Sequence, residues 1–270
     1  MRGVSRTSLA QAKEHLSEVL AGDADPGQLG DQLFAVTALL DSEAGLRRTL
    51  SDPTLSARAK TGLVHTLLDG KVAAPTLDVA GTMVGERWSE PRDLADATEE
   101  LAALAIVEVA DRAGQLDELE DELFRFGRVV SAEPELRTVL WNPFFPEQRK
   151  RDLLNALLNG KVTQPAMRLI TQSALQTRGR TLDASLEEYA RLAAERRERL
   201  VAEVHVAIPL TARQRGRLAA ALAASYGHDV HLNIALDPKV IGGMSIQIAG
   251  ERIDGTMAGR LAGLRRRLAA

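Results

Sequence analysis

Leu67-Leu68-Asp69-Gly70-Lys71-Val72 and Leu157-Leu158-Asn159-Gly160-Lys161-Val162 stand 90 residues apart and share five of six side chains. Extended outward from these hexamers, residues 29–75 lie on 119–165 without a gap. Leu46-Arg47 meets Leu136-Arg137, Pro53 meets Pro143, Lys60 meets Lys150, and 17 of 47 positions are identical. This is a duplicated structural unit. The retained residues are mostly Leu, Phe, Gly and Pro, which serve packing and capping. A duplicated catalytic unit would be expected to keep a Ser, His, Cys or carboxylate constellation in at least one copy. The pattern favours a binding or structural role.

Composition agrees. A chain of 270 residues that is 45% hydrophobic can bury a large core, and its length suggests two or three compact units. Aromatics make up only 3% while Ala, Leu, Glu and Arg abound, the balance of a helical protein with an aliphatic core. With a formal charge of −3, no global field draws nucleic acid or an anionic membrane. The absence of cysteine excludes disulfides, thiolate metal sites and a cysteine nucleophile. No run of 18 uncharged apolar residues is present, so neither a membrane span nor a secretory signal is expected.

Helical spacing runs through Leu9, Ala12, Leu16, Val19 and Leu20, and Asp25-Pro26 opens a second helix as N-cap and first helical residue. A short helix near 43–50 and another over 56–69 follow, with Gly70 and Gly160 in left-handed capping positions. From Pro91 to Ala113 the apolar pattern is unbroken, which predicts one long helix shared by the two copies, a stiff rod between two bundles that each fold. A charged helix over 182–200 closes copy two. Alternation then replaces helical spacing: Val204, Val206 and Ile208 form one strand, Val230 to Leu236 a second, and Met244, Ile246 and Ile248 a third, with a hairpin into Arg252-Ile253. Thr211 to Gln214 reads as a capping box for a helix through Tyr226. The fold class is mainly α: two tandem helical bundles sharing a long helix (1–95 and 96–200), then a small α/β domain (201–270).

At Ile241-Gly242-Gly243, the strand behind it, Asp254-Gly255-Thr256 and Gly259-Arg260-Leu261, the chain resembles the delta subunit of the rotary F-type ATP synthase, the family of the mitochondrial oligomycin-sensitivity-conferring protein. Copy two resembles that family's six-helix bundle, with Asn142-Pro143 in its central break. Copy one is an addition, and Leu101-Ala102-Ala103-Leu104 replaces the family's Tyr-Ala in the bundle's first helix. The resemblance implies a stator subunit with no catalytic, cofactor or metal residues. It would grip N-terminal helices of the alpha subunits and meet the b-type stalk. It would lie at the cytoplasmic face of the cell membrane, reaching the membrane only through the complex, and bind no nucleic acid.

His15 and His65 lie on different helices and His228 and His231 on opposite strand faces, which suits surface histidines better than a metal site. Ile241-Gly242-Gly243 lacks a Gly-Lys-Ser/Thr ending and precedes a strand, so it is a turn and not a phosphate loop. Asp254 or Thr256 is expected to cap the final helix, with Gly255 in the turn. Arg265, Arg266 and Arg267 are a solvated face or a partner's ion-pair cluster. Trp141, Phe144 and Phe145, where copy one has Ser51, Thr54 and Leu55, pack beneath their loop or anchor an interface. A small-ligand enzyme or a nucleic-acid adaptor built on the α/β unit is the alternative, without a nucleophile–base pair to support it.

Overall fold

The computed structural model describes residues 3–142, 144–198, 200–226, 230–237, 240, 242–248 and 251–254. The chain forms two compact units, Met1–Ala194 and Glu195–Ala270. The first holds α1 (Val4–Ala21), α2 (Pro26–Ser42), α3 (Ala44–Ser51), α4 (Ala57–Leu68), α5 (Ala74–Gly85), α6 (Pro91–Arg112), α7 (Leu116–Ala132), α8 (Pro134–Trp141), α9 (Glu147–Leu158) and α10 (Gln164–Leu175). A further helix, α11 (Leu182–Glu198), begins in it. The helices α2 to α5 recur as α7 to α10, every boundary displaced by the same 90 positions as the sequence repeat.

Three ties are repeated with the helices. Gly70 and Gly160 have φ of 71° and 72°. Each follows an extended Asp69 or Asn159, and the Lys71 and Lys161 amides donate to Leu68 and Leu158 carbonyls at 2.9 Å. The glycine thus occupies the third position of a type II turn closing the helix, where a side chain would be strained. Next, an oxygen from the second helix of each copy caps the fifth. Gln32 Oε1 accepts from the Ala73 amide at 2.9 Å and Thr76 Oγ1 at 2.7 Å, and Glu122 Oε2 accepts from the Thr163 amide and hydroxyl at 2.9 and 2.7 Å. These caps satisfy amides that a helix N-terminus leaves free.

The third tie is a buried lysine. Lys60 Nζ donates to the Glu86 carbonyl at 3.1 Å, and Lys150 Nζ to those of Leu140 and Ala174 at 2.7 and 3.2 Å. A cation there meets the negative ends of helices. Burial holds both lysines below their ordinary pKa, with acidic neighbours opposing it.

The shared helix exists, but it is not a rod between two bundles. Twelve of the 22 residues of α6 are buried, and they surround the helix, as for one at the centre of a core. Leu94, Leu101, Ala102, Ala103, Ile106 and Val107 are wholly inaccessible, and one hydrophobic cluster joins them to Leu16, Leu33 and Leu50 of copy one and Leu119, Leu154 and Leu169 of copy two. The reason is steric. Alanines along α6 let neighbours approach, and α2 meets it at Gly30, where an added Cβ would stand 2.5 Å from Ile106 Cδ1 and 3.0 Å from the Ala102 carbonyl oxygen. Copy two has Glu120 at the matching place.

A buried ion cluster locks the copies together. Arg178, in the loop between α10 and α11, reaches Asp41 of α2 at 2.5 Å, Asp96 of α6 at 2.8 Å, and Glu99 of α6. Glu99 also receives Arg180 and, at 2.9 Å, the Tyr189 hydroxyl. The Tyr189 ring meets Phe34 of α2 edge-on, centroids 6.4 Å apart. Arg178 holds a φ of 49°, followed by Gly179 at 75°, in a turn closed by the Arg180 amide on the Thr177 carbonyl at 2.8 Å. Burial pulls the Arg178 pKa down, but hydrogen bonding and attraction from Asp41, Glu99 and Asp96 outweigh it and the net shift is upward.

In the second unit, β1 (Leu200–Val206), α12 (Ala212–Tyr226), β2 (Val230–Leu236), β3 (Met244–Ile248) and β4 (Glu251–Asp254) follow in chain order. They form a four-stranded sheet in the order β2-β1-β3-β4. β1 and β2 are parallel across α12, and the β1–β3 and β3–β4 pairs are antiparallel. Ala202, Val204, Val206, Ile246 and Ile248 are buried with Leu222 of α12. The capping box is present: the Thr211 amide donates to Gln214 Oε1 at 2.9 Å and the Gln214 amide to Thr211 Oγ1 at 3.3 Å. The strand read through Ile208 ends at Val206, and Ile208 is 73% exposed. Beyond the ladder the Val206 carbonyl accepts from the Asp237 amide at 3.0 Å, and Pro209, which has no amide to donate, follows Ile208.

Candidate functional site

Exposed large apolar side chains gather in copy two. Phe124, Val129, Trp141, Phe144 and Leu157 are exposed there, whereas Phe34, Leu39, Ser51 and Leu67, the counterparts of all but Phe144, are buried or half-buried in copy one, and Phe144 stands where copy one has the exposed Thr54. Soluble surfaces do not leave contiguous apolar area bare without use, so this asymmetry locates the candidate site.

Its floor is built by amphipathic helices. Leu119, Leu123, Phe126 and Val130 turn α7 inward at helical spacing, Leu140 anchors α8, and Leu154 anchors α9. Between the three lies a groove of about 640 Å³. Phe126 and Val129 form one wall, Leu136 and Val139 a second, and Leu153, Leu157 and Leu158 the third. In copy one, Val36, Leu39, Leu46, Leu67 and Leu68, the counterparts of five of these residues, border a space of about 20 Å³. One copy has closed its groove and the other has kept it open.

Charge is divided between the groove's ends. Arg125 and Lys161 lie at the end where Glu122 caps α10, and Glu133 and Glu135 lie where α7 gives way to α8. Arg125 is paired with Asp121 at 3.1 Å, and Lys161 Nζ donates to the Leu157 carbonyl at 2.9 Å. Among the described residues, no ion pair engages Glu133 or Glu135.

The aromatic loop stands apart from the core. Trp141 is 55% exposed and Phe144 92%, so neither packs beneath the loop, while Phe145 is half-buried. The Phe144 amide donates to Asn142 Oδ1 at 2.9 Å, and in copy one the Thr54 amide donates to Asp52 Oδ1 at 2.8 Å. One turn thus displays aromatics in one copy and a threonine in the other.

In the second unit Gly242 and Gly243 have φ of 70° and 82°, the turn read from their sequence. Asp254 ends β4 opposite Ser245. Ile241, Gly255, Thr256, Gly259, Arg260, Leu261, Arg265, Arg266 and Arg267 lie outside the described residues, as do the final helix and the caps assigned to it. Among the described residues, no three of His, Cys, Asp or Glu come together to hold a metal ion, and no helix is long and apolar enough to cross a membrane.

The groove and the Arg178 cluster were not singled out from the sequence. Their signal is in the comparison of copies: Trp88 aligns with Arg178, and Glu99 with the Tyr189 that donates to it.

Known proteins place the chain. The family profile described as ATP synthase delta (OSCP) subunit matches residues 102–268, from within α6 onward. The "ATP synthase subunit delta" of Thermobifida fusca is 47% identical over the whole of both chains. That of Streptomyces avermitilis is 48% identical over 99% of this chain and 98% of its own. The likeness includes copy one, which the family profile leaves out. A chain of the Toxoplasma gondii mitochondrial ATP synthase hexamer aligns with 62% of this chain and 95% of its own at 23% identity, with a TM-score of 0.29.

Proposed function

This chain belongs to the ATP synthase delta (OSCP) family, and from that membership we propose that it is a non-catalytic stator subunit of the peripheral stalk. It tethers the catalytic head to the b-type stalk, so that rotor torque is spent on nucleotide exchange instead of turning the head. Residues 96–200 grip amphipathic N-terminal helices of the alpha subunits, residues 201–270 meet the b-type stalk, and residues 1–95 brace the second copy. The subunit is peripheral, at the cytoplasmic face of the cell membrane, and touches the membrane through the complex.

The observation that carries this reading is identity of nearly half over the full length with proteins named ATP synthase subunit delta. The bare apolar groove and aromatic loop of copy two support it, because a helix-in-groove contact needs such a surface and no bond chemistry. The test is to delete the chain from its own membranes. Proton-driven ATP synthesis in vesicles should fall while the detached head hydrolyses ATP as before, and the tagged chain should retain ATP synthase subunits after nuclease and salt treatment. Unchanged synthesis in the deletion would refute the proposal.

A further inference from the structure

Resting on the stator reading, we propose that α11 is the helix by which load enters the first unit, and that Arg178, Arg180, Glu99 and Tyr189 are its anchor, with Asp41 passing part of the load to copy one. The chain leaves the first unit along α11, whose Leu182, Leu186, Tyr189, Leu192 and Ala193 are buried before the second unit begins at Glu195. A pull on any later residue travels down the chain to this helix. Apolar contact is non-directional and lets a helix slide, whereas hydrogen bonds to buried ions are directional and must break before it moves. Tyr189, midway along α11, donates to Glu99 of α6 at 2.9 Å. Just before the helix begins, Arg180 meets the same carboxylate. Arg178, whose side chain is as buried as that of Glu99 at 4% exposure, reaches Glu99, Asp96 at 2.8 Å and Asp41 at 2.5 Å. Arg92 of α6 donates in turn to the Arg178 carbonyl at 2.6 Å. One carboxylate thus holds α11 at two places on α6, and one guanidinium carries the tie to α2 of copy one. The left-handed backbone of Arg178, uncommon for a residue with a side chain, persists because these partners fix it. Copy one supplies the internal comparison. Trp88 stands there in place of Arg178 and donates to the nearby Met83 carbonyl at 2.9 Å, and Glu99 stands in place of Tyr189. The anchor therefore belongs to the exit helix and is not a by-product of the repeat.

The chain has no cysteine, so Gln11→Cys and Ala207→Cys, at exposed positions in the first and second units, take DNA handles specifically. The full chain is held at constant force in optical tweezers, and the rate of the first opening is measured. Tyr189→Phe keeps the ring against Phe34 and removes only the hydroxyl, and it should raise that rate at least about tenfold. Asp41→Asn should raise it by less. Thr76→Val, which loses a hydrogen bond to Gln32 away from α11, should lower stability in urea and yet leave the rate within about twofold. With the second handle moved to Arg151→Cys, α11 is out of the loaded path, and Tyr189→Phe should open within about twofold of the original. In membranes Tyr189→Phe should assemble fully and lower proton-driven ATP synthesis at least about twofold. Equal opening rates with the handle at residue 207, equal acceleration with both handle pairs, or full synthesis by assembled Tyr189→Phe overturns the anchor and leaves the stator reading standing. Unchanged synthesis on deletion of the whole chain is the result that fails the stator reading instead.

Discussion

Inserting Gly-Gly after Leu101 separates a helix that merely connects from one that is a core. The insertion turns everything beyond it by about 200° and shifts it by about 3 Å. Were α6 a connector, both copies would survive. In the structure, the turn swings Ile106 and Val107 away from pockets in which they are wholly inaccessible, and it breaks the approach of Gly30 to the Ala102 carbonyl. The two glycines cost about 2 kcal/mol in a helix interior, and each displaced aliphatic side chain about 1.5–3 kcal/mol. The loss, about 5–8 kcal/mol, is comparable to the whole stability of an ordinary domain. The assay is urea unfolding of the purified chain followed by circular dichroism, with limited proteolysis at zero denaturant. The variant should lack a cooperative transition for the first unit and be cut in both copies. A transition with unchanged slope and a midpoint within about 1 kcal/mol of the original would show that the copies fold apart, and the single-core account would be wrong.

The same unfolding assay reads three further predictions. Gly30→Ala should destabilise by about 1–3 kcal/mol, because its Cβ is driven against a backbone oxygen of α6, whereas Gly62→Ala, with nothing within 4 Å, should stabilise by about 0.5–1 kcal/mol; equal effects would refute the close-approach argument. Lys150→Met should cost about 2–3 kcal/mol, since it leaves the Leu140 and Ala174 carbonyls without their donor, and Lys60→Met should cost less, having one carbonyl to lose. Tyr189 is held well above the ordinary phenol value by burial first and by the Glu99 carboxylate second. Its folded pKa being raised, its contribution is complete below the unfolded value near 10 and is lost as pH rises through the folded one. The stability advantage of the original chain over Tyr189→Phe should therefore shrink above about pH 10, and an advantage that grows there would contradict the assignment.

Much of the secondary structure was legible because it is written in local chemistry. Asp25 caps α2 as its position before Pro26 requires, accepting from the Gly27 and Gln28 amides at 2.8 and 3.2 Å. The Thr211 and Gln214 box and the alternation in β1 to β3 are equally local. The helix α5 left a weaker trace. Thr76, Leu77, Val79, Ala80, Gly81, Met83 and Val84 bury more than half of its circumference, and the remaining face carries a single charged residue, Asp78, so little polar contrast sets a period. The error over α6 has the same root. An unbroken apolar pattern reports that a helix is long, and only the number of neighbours around it tells a connector from a core.

The site was less legible still, because it depends on what the repeat does not repeat. Leu46 and Leu136, Leu67 and Leu157, and Leu68 and Leu158 are the same residue in both copies, yet they border a closed space in one and an open groove in the other. Phe34 and Phe124 make the point most directly. Phe34 is buried against Tyr189, while Phe124, 90 positions later on the matching helix, is 61% exposed. The side chain is constant and its environment is not: the face of α2 that carries Phe34 lies against Tyr189 of α11, while the face of α7 that carries Phe124 is left bare. The two copies therefore differ in which faces their neighbours cover and not in the side chains they share. It is on copy two that the open groove and the exposed Trp141 and Phe144 are found.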